Sequence, residues 1–453
     1  MNVDALPLLP ECVDDPVVAW REGCPVSRHT FLTEVHALAA RLPEAHYAIN
    51  LCRDRYRFAV ALFAAIVRGV HSVLPNVSAP DYLAVVCADL SDPVILLDYE
   101  LDLERLPGVR MVRVDAPVSG AIATERVSWT TVAFDRPVAS VYTSGSTGRP
   151  QSHIKSFGRL CQGAVAEAAR IREQTGVDCN VLGTVPIQHM YGLESTVLMP
   201  LLGGGRLTSR QPFFPADIAA ALYELPEPRL LVSTPYHLRK LVESGLTLPP
   251  VAGVLSATAP LERDLAVRIE QVLDAPLLEI YGSTETGQMA SRRSALQDTW
   301  RLFPGVVLRQ YAGATVASGG HLEEERMLGD HVEFVAPEEF RLLGRHSDMI
   351  NIAGKRNSLQ FLNHVLMQIP GVEDGVFCLP QMGTADGVSR LAAFVVAPGL
   401  DAITLQAALL TQIDPVFLPR PLVFVEALPR DRNGKLTAAS LAGLLAQHAA
   451  CGA

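Results

Sequence analysis

The sequence predicts an α/β protein with a large N-terminal domain of mostly parallel sheets covered by helices, a small β subdomain, and a small α+β C-terminal domain. Three observations carry this prediction. From about residue 45 to 290 one theme recurs: a short apolar β-rich segment, a turn of small or polar residues, then a helical pattern. Strands alternating with helices build parallel sheets covered on both faces. Between Trp300 and Phe340 the chain breaks into short segments such as GVVLRQYAG and ATVASGG, with few helical periods. Beyond GRHSD (Gly344 to Asp348) comes an amphipathic helix with Leu359, Leu362, Val365 and Leu366, then strand, helix and strand patterns, enough for a compact module of its own.

Taken in order, the acidic and proline-broken start MNVDALPLLPECVDDP lacks the basic end and apolar block of an export signal. The longest apolar run, Phe58 to Val67, stops at Arg68, short of the roughly 18 residues a membrane helix needs, and is predicted as a buried helix. DPVILLD (Asp92 to Asp98), VASVYTSGSTG (Val138 to Gly148), PRLLVSTP (Pro228 to Pro235), VAGVLSATAP (Val251 to Pro260) and PLLEIYGSTETG (Pro276 to Gly287) each read as a strand entering its turn. Ligands of such sheets gather at the carboxyl ends of strands, so these turns are expected to converge. The domain boundary falls near Gly344, giving residues 1–344 and 345–453. With 38 Lys and Arg against 48 Asp and Glu, the net charge is -10, which argues against nucleic acid or an anionic membrane as a partner. Eight scattered cysteines with no Cys-x-x-Cys pair suit reduced thiols in the cytoplasm.

Three turns carry chemistry. In YTSGSTGRP a buried strand opens into hydroxyls and glycines whose backbone N–H groups make an anion-binding concavity. No lysine completes a P-loop there, and read alone the stretch serves equally as a solvent loop. IYGSTETGQ sets Glu285 among hydroxyls at a strand end, a donor type that suits Mg2+ bridging phosphates. Alone, Glu285 reads as a surface acid or a helix N-cap partner, and Tyr281 as core or as a platform for a base. In LPRDRNGKL, Asn433-Gly434 marks a tight turn that holds Lys435 at a loop tip, where alone it reads as a solvated lysine.

Together TSGSTGRP, YGSTETG, the aspartate of LGD, GRHSDMINIAGKR and RNGKL occur in the order and spacing seen in adenylate-forming enzymes, and the chain resembles that superfamily from about Ala48 to Leu441. NLCRDRYRF, VPIQHMYGLE, VSTPYHLR, LSATAPL and NIAGKRNSL narrow the resemblance to short ligases of aryl polyene and xanthomonadin-type pigment pathways. These activate an aromatic acid, typically a hydroxybenzoate, and pass it to an acyl carrier protein.

The resemblance implies two half reactions. A carboxylate attacks the α-phosphate of MgATP to give an acyl adenylate and pyrophosphate, and a phosphopantetheine thiol then displaces AMP. It implies that Lys435 bridges the carboxylate and the α-phosphate, and that Thr143, Ser144, Gly145, Ser146, Thr147 and Gly148 wrap the β- and γ-phosphates. Thr284 then touches the α-phosphate, Glu285 ligates Mg2+, Asp330 binds the ribose hydroxyls, Arg345 sits by ribose or phosphate, and Tyr281 stacks on adenine. His189, Ser256, Ala257, Thr258 and Gly282 line the acyl pocket, where side chains replacing a glycine-rich turn favour a small flat acid. The C-terminal domain is implied to be mobile about a hinge at Ser347 and Asp348, because Lys435 must withdraw before the thiol enters. Coenzyme A is the alternative acceptor. The chain departs from the family at Gln151, where lysine is usual, with His153 and Lys155 as the local cations left to compensate.

Overall fold

The computed structural model describes residues 4–75, 80–101, 108–114, 130–143, 151–311, 314–345, 349–352, 355–379, 391–431, 434 and 436–449. The chain forms two compact units, Met1–Arg309 with Ala317–Arg326, and Gln310–Val316 with Met327–Ala453.

Two large sheets build the first unit, beside a small one of Ala5–Pro7 paired with Thr131–Ala133. One large sheet has the strand order Gln151–Ser156, Pro137–Thr143, His71–Leu74, Tyr47–Asn50, Pro93–Leu97 and Arg110–Arg113. Its neighbours are parallel, except that Gln151–Ser156 runs antiparallel to Pro137–Thr143. In the other sheet, Leu277–Ser283, Gly253–Ser256, Arg229–Ser233, Asn180–Gly183, Arg206–Thr208 and Val17–Arg21 form a parallel run. Antiparallel strands flank that run, Gly287–Arg292 and Trp300–Leu302 on one side and Cys24–Ser27 on the other. The parallel centre reads as near-continuous apolar runs because helices bury it on both faces. The expected buried helix is Arg55–Arg68, capped by the Asp54 side chain and ended by left-handed Gly69. Its Arg55 is fully buried, and the guanidinium donates to Gly183 O (2.9 Å), Thr208 O (3.0 Å) and Thr196 Oγ1 (3.0 Å), tying this helix to the second sheet.

Two expectations need correction. The strands Pro137–Thr143 and Leu277–Ser283 do not feed helices; each folds back through a hairpin onto an antiparallel strand. Ser/Thr/Gly turn chemistry suits either exit. Trp300–Leu302 belongs to the second sheet, although short strands do run on through Val306–Tyr311, Ala314–Gly319 and Arg326–Leu328.

In the second unit, Asp330–Ala336 pairs with Glu339–Arg345. The helix Leu359–Gln368 packs Leu362, Val365 and Leu366 against Phe377, Val395 and Leu405. Strands Asp374–Cys378, Ala392–Val396 and Leu422–Phe424 form the sheet beside it, as the strand and helix patterns indicate. No described helix is long and apolar enough to cross a membrane.

Candidate active site

The first hairpin sets Gln151 opposite Thr143, so residues 144–150 join its two strands. Ser144, Gly145, Ser146, Thr147 and Gly148 lie outside the described residues. Thr143, half-buried at the strand end, has its Oγ1 3.2 Å from His153 Nε2. Alternate residues of a strand share a face. Here Gln151 is exposed while His153 and Lys155 turn inward, with Lys155 only 3% exposed.

The second hairpin carries Thr284 and Glu285 at its tip. Ser283 and Thr286 close the turn on each other: Ser283 N–H donates to Thr286 Oγ1 (3.1 Å) and Thr286 N–H to Ser283 Oγ (3.3 Å). Just before the tip the strands approach so closely that a Cβ on Gly282 would stand 2.1 Å from Gly287 O. Tyr281 lies 5.5 Å from the Trp300 ring, which carries the Arg292 guanidinium at 4.4 Å. Arg292 in turn pairs at 2.7 Å with buried Glu279. The expected platform is thus half-buried and held from behind by stacked groups.

The two hairpins meet through charge. Lys155 Nζ donates to the backbone oxygen of Glu285 at 3.0 Å, and His153 Nε2 stands 3.7 Å from Glu285 Oε1. Burial opposes the charge on Glu285, but the Ser283 hydroxyl, its own N–H and the charges of His153 and Lys155 outweigh burial and hold the carboxyl below its ordinary value. Burial lowers His153, with Glu285 opposing and Lys155 and Arg326 assisting. Burial also lowers Lys155, against the pull of Glu194, Glu323 and Glu285. Glu194 was passed over in the sequence; its signal is a carboxylate inside the apolar run MYGLESTVLMPLL. It opens the π-helical turn Glu194–Leu198, a local insertion common at functional sites. Glu285 is an ionised oxygen donor at an exposed tip, its side chain 41% accessible, and so fits a hard dication. Among the described residues no three His, Cys, Asp or Glu side chains converge as a metal cage, so Mg2+ held here would take its remaining ligands from phosphate and water.

Behind this pair lies Glu167, 1% exposed on the helix Phe157–Thr175. Burial pushes its carboxyl up to about 8, helped by Glu194 and eased by Ser195 and Gln288. A carboxyl raised on folding contributes stability below its ordinary value of 4.5 that is lost as pH rises toward about 8. We therefore expect the urea midpoint of the protein to fall between pH 5.5 and 8.5, and Glu167→Gln to flatten that slope. An equally steep slope in the variant would assign the loss to other groups.

Ser256 ends the strand Gly253–Ser256 and pairs in register with Glu279, so Ala257 and Thr258 leave the sheet beside Tyr281 and Gly282. Thr258 has φ +83°, a left-handed conformation that costs a β-branched residue about 1–2 kcal/mol. The backbone here keeps the geometry of a glycine turn while presenting side chains. Ser256 Oγ and Thr258 Oγ1 are buried without a hydrogen-bond partner among the described residues. Unsatisfied hydroxyls at the carboxyl ends of parallel strands are open to a ligand. His189, half-buried, heads the helix Met190–Leu193 that follows the strand Asn180–Gly183, two strands away in the same sheet.

In the second unit Asp330 and Arg345 are register partners at the open end of their hairpin. The Arg345 side chain, Ser347, Asp348 and Lys435 lie outside the described residues. The base of the Lys435 loop is described: Arg430 bridges to Leu436, Gly434 N–H donates to Asp431 O (2.9 Å), and Arg430 pairs with Asp374 at 2.6 and 2.8 Å. Gly434 has φ +75°, the conformation that makes glycine suit this tight turn.

The sequence profile of the AMP-binding enzymes matches residues 11–316. The chain belongs to that family. This AMP-binding enzyme is 30% identical over 307 residues to a 4-coumarate–CoA ligase of Halorhodospira halophila, covering 65% of this chain and 73% of the relative. It is 25% identical over 461 residues to a p-hydroxybenzoic acid–AMP ligase of Mycobacterium marinum, covering 90% and 65%. The fold matches that of o-succinylbenzoate CoA synthetase from Bacillus subtilis, solved with its acyl-adenylate, with a TM-score of 0.80, 18% identity and coverage of 94% and 95%. This AMP-binding enzyme is an AMP-forming acid–thiol ligase.

Proposed function

We propose that this AMP-binding enzyme activates a small aromatic acid, a hydroxybenzoate in the first instance, as its acyl adenylate and transfers the acyl group to the phosphopantetheine thiol of an acyl carrier protein. The observation that carries the adenylation half is the junction of the two hairpins, where Glu285 meets His153 and Lys155. It joins the turn assigned to the α-phosphate and Mg2+ to the hairpin assigned to the β- and γ-phosphates.

In the first step a carboxylate oxygen bonds to the α-phosphorus and the bond to pyrophosphate breaks. The obstacle is an anion approaching a polyanion, which preorganised charge removes. The loop at 143–148 holds the departing pyrophosphate, Thr284 orients the α-phosphate, and Lys435 bridges the two reacting groups. Mg2+ bound at Glu285 would neutralise phosphate charge. Tyr281 packs on adenine, and Asp330 and Arg345 take the ribose side. In the second step the thiol sulfur bonds to the acyl carbon, the bond to AMP breaks, and the thiol proton passes to solvent. The domain of residues 345–453 swings about Ser347 and Asp348 between the steps, clearing Lys435 from the thiol's path.

Thr258, with its side chain in a glycine-like backbone, supports a short, flat acyl pocket, and its unpaired hydroxyl with that of Ser256 suits a polar ring substituent. The aromatic acids named for the two relatives support the same class. The test is pyrophosphate release with 3- and 4-hydroxybenzoate, benzoate, cinnamates and octanoate, followed by thioester formation on holo carrier protein or coenzyme A. We expect a hydroxybenzoate to be preferred and the thioester to form on the carrier protein. Preference for octanoate overturns the aromatic reading; thioester on coenzyme A alone overturns the carrier protein.

A further inference from the structure

We infer that Lys155 is a positioning residue for the Mg2+ ligand, anchoring the Glu285 turn from inside the protein. This inference rests on the assignment of Glu285 to Mg2+ above. The bond is specific: the ammonium of a residue 3% exposed donates to the backbone oxygen of Glu285, 130 positions away and on the other sheet. It takes hold of the main chain at the tip, not of the carboxylate, whose side chain stays 41% accessible beside His153.

A cation is costly to bury, and a surface between two sheets is more stably filled by an apolar side chain. This one is retained with Glu194, Glu323 and Glu285 around it. Glu323 is itself fixed, accepting from Ser156 N–H (2.7 Å) and Ser156 Oγ (3.0 Å) at the end of the same strand. Arg326 supplies the opposing positive charge. Strand periodicity explains how the cation came to this depth. Positions 151, 153 and 155 share a face, and with Gln151 exposed and neutral the positive charge on that face sits four residues further in. From there Lys155 holds the turn that carries Glu285. Groups behind a metal ligand set its orientation, and their loss costs about 10–100-fold in metal affinity.

The test is Mg2+ titration of ATP-analogue binding, followed by calorimetry, for the wild type, Lys155→Met, Lys155→Met with Glu194→Gln, and Glu285→Gln. The double variant removes both buried charges, so it carries the test where the single one does not fold. We expect both Lys155 variants to raise the Mg2+ concentration for half-maximal binding about tenfold, with metal-free nucleotide affinity unchanged. Wild-type Mg2+ dependence in the double variant, with Glu285→Gln shifted, overturns the role of Lys155 alone and makes the pair structural. No shift in Glu285→Gln removes the metal from that carboxylate and the inference with it.

Discussion

Lys435→Ala lowers the rate of adenylate formation about 10²–10³-fold while MgATP binding stays measurable. That is the size expected when one preorganised positive group facing a developing charge is lost. The loop should survive the change. Its base is pinned by the Arg430 to Leu436 bridge, the Asp431 to Gly434 turn and the ion pair of Arg430 with Asp374, none of which uses the lysine side chain. The proposed mechanism also makes the defect one-sided. Thioester formation from supplied acyl adenylate proceeds at close to the wild-type rate, since Lys435 has withdrawn by then. Single-turnover pyrophosphate release and adenylate consumption measure the two halves separately. Unchanged pyrophosphate release takes the lysine out of the mechanism, and equal losses in both halves point to a misplaced domain.

Gly282→Ala is the second large effect, and it is steric. The added methyl would stand 2.1 Å from Gly287 O and 2.9 Å from Gln288 Cα, both backbone atoms of the opposing strand, so neither can swing aside. The hairpin has to open at the irregularity between Tyr281 and Gly282, which moves Thr284 and Glu285 relative to the first hairpin. Overpacking of this kind costs about 1–3 kcal/mol, and displacement of reacting groups by an ångström costs about 10²-fold in rate. We expect adenylation to fall by at least that factor, with the melting temperature lowered by a few degrees. A wild-type adenylation rate in a folded variant would show that the close approach at Gly282 does not set the turn.

The sequence made the helix Arg55–Arg68, the parallel strands and the second unit's helix and sheet readable, because apolar periodicity and turn residues report local structure directly. It also singled out both hairpin tips as candidate sites, although a cluster of hydroxyls and glycines after a buried strand serves equally as a solvent loop when read alone. The hairpins themselves were not read, because a turn of small residues does not say whether helix or strand follows. The Lys155 cluster was half-visible: His153 and Lys155 drew notice for replacing a charge, but Glu194 and Glu323 belong to other elements, and only the fold brings them together. The motif around Thr258 made it a pocket candidate, whereas its left-handed backbone is a tertiary fact.

The bond from Lys155 to Glu285 also orders events during synthesis. The first hairpin is complete at Ser156, yet the backbone oxygen that receives its lysine is made 130 residues later. At about 5–20 residues per second on the ribosome, that interval is on the order of ten seconds. For that time the ammonium has no Glu285 oxygen to donate to, so it has every reason to stay in water and keep the inner face of its strand wet. The edge of the first sheet therefore sets only when the second sheet arrives, and the junction of the two hairpins is among the last parts of the large unit to become solid.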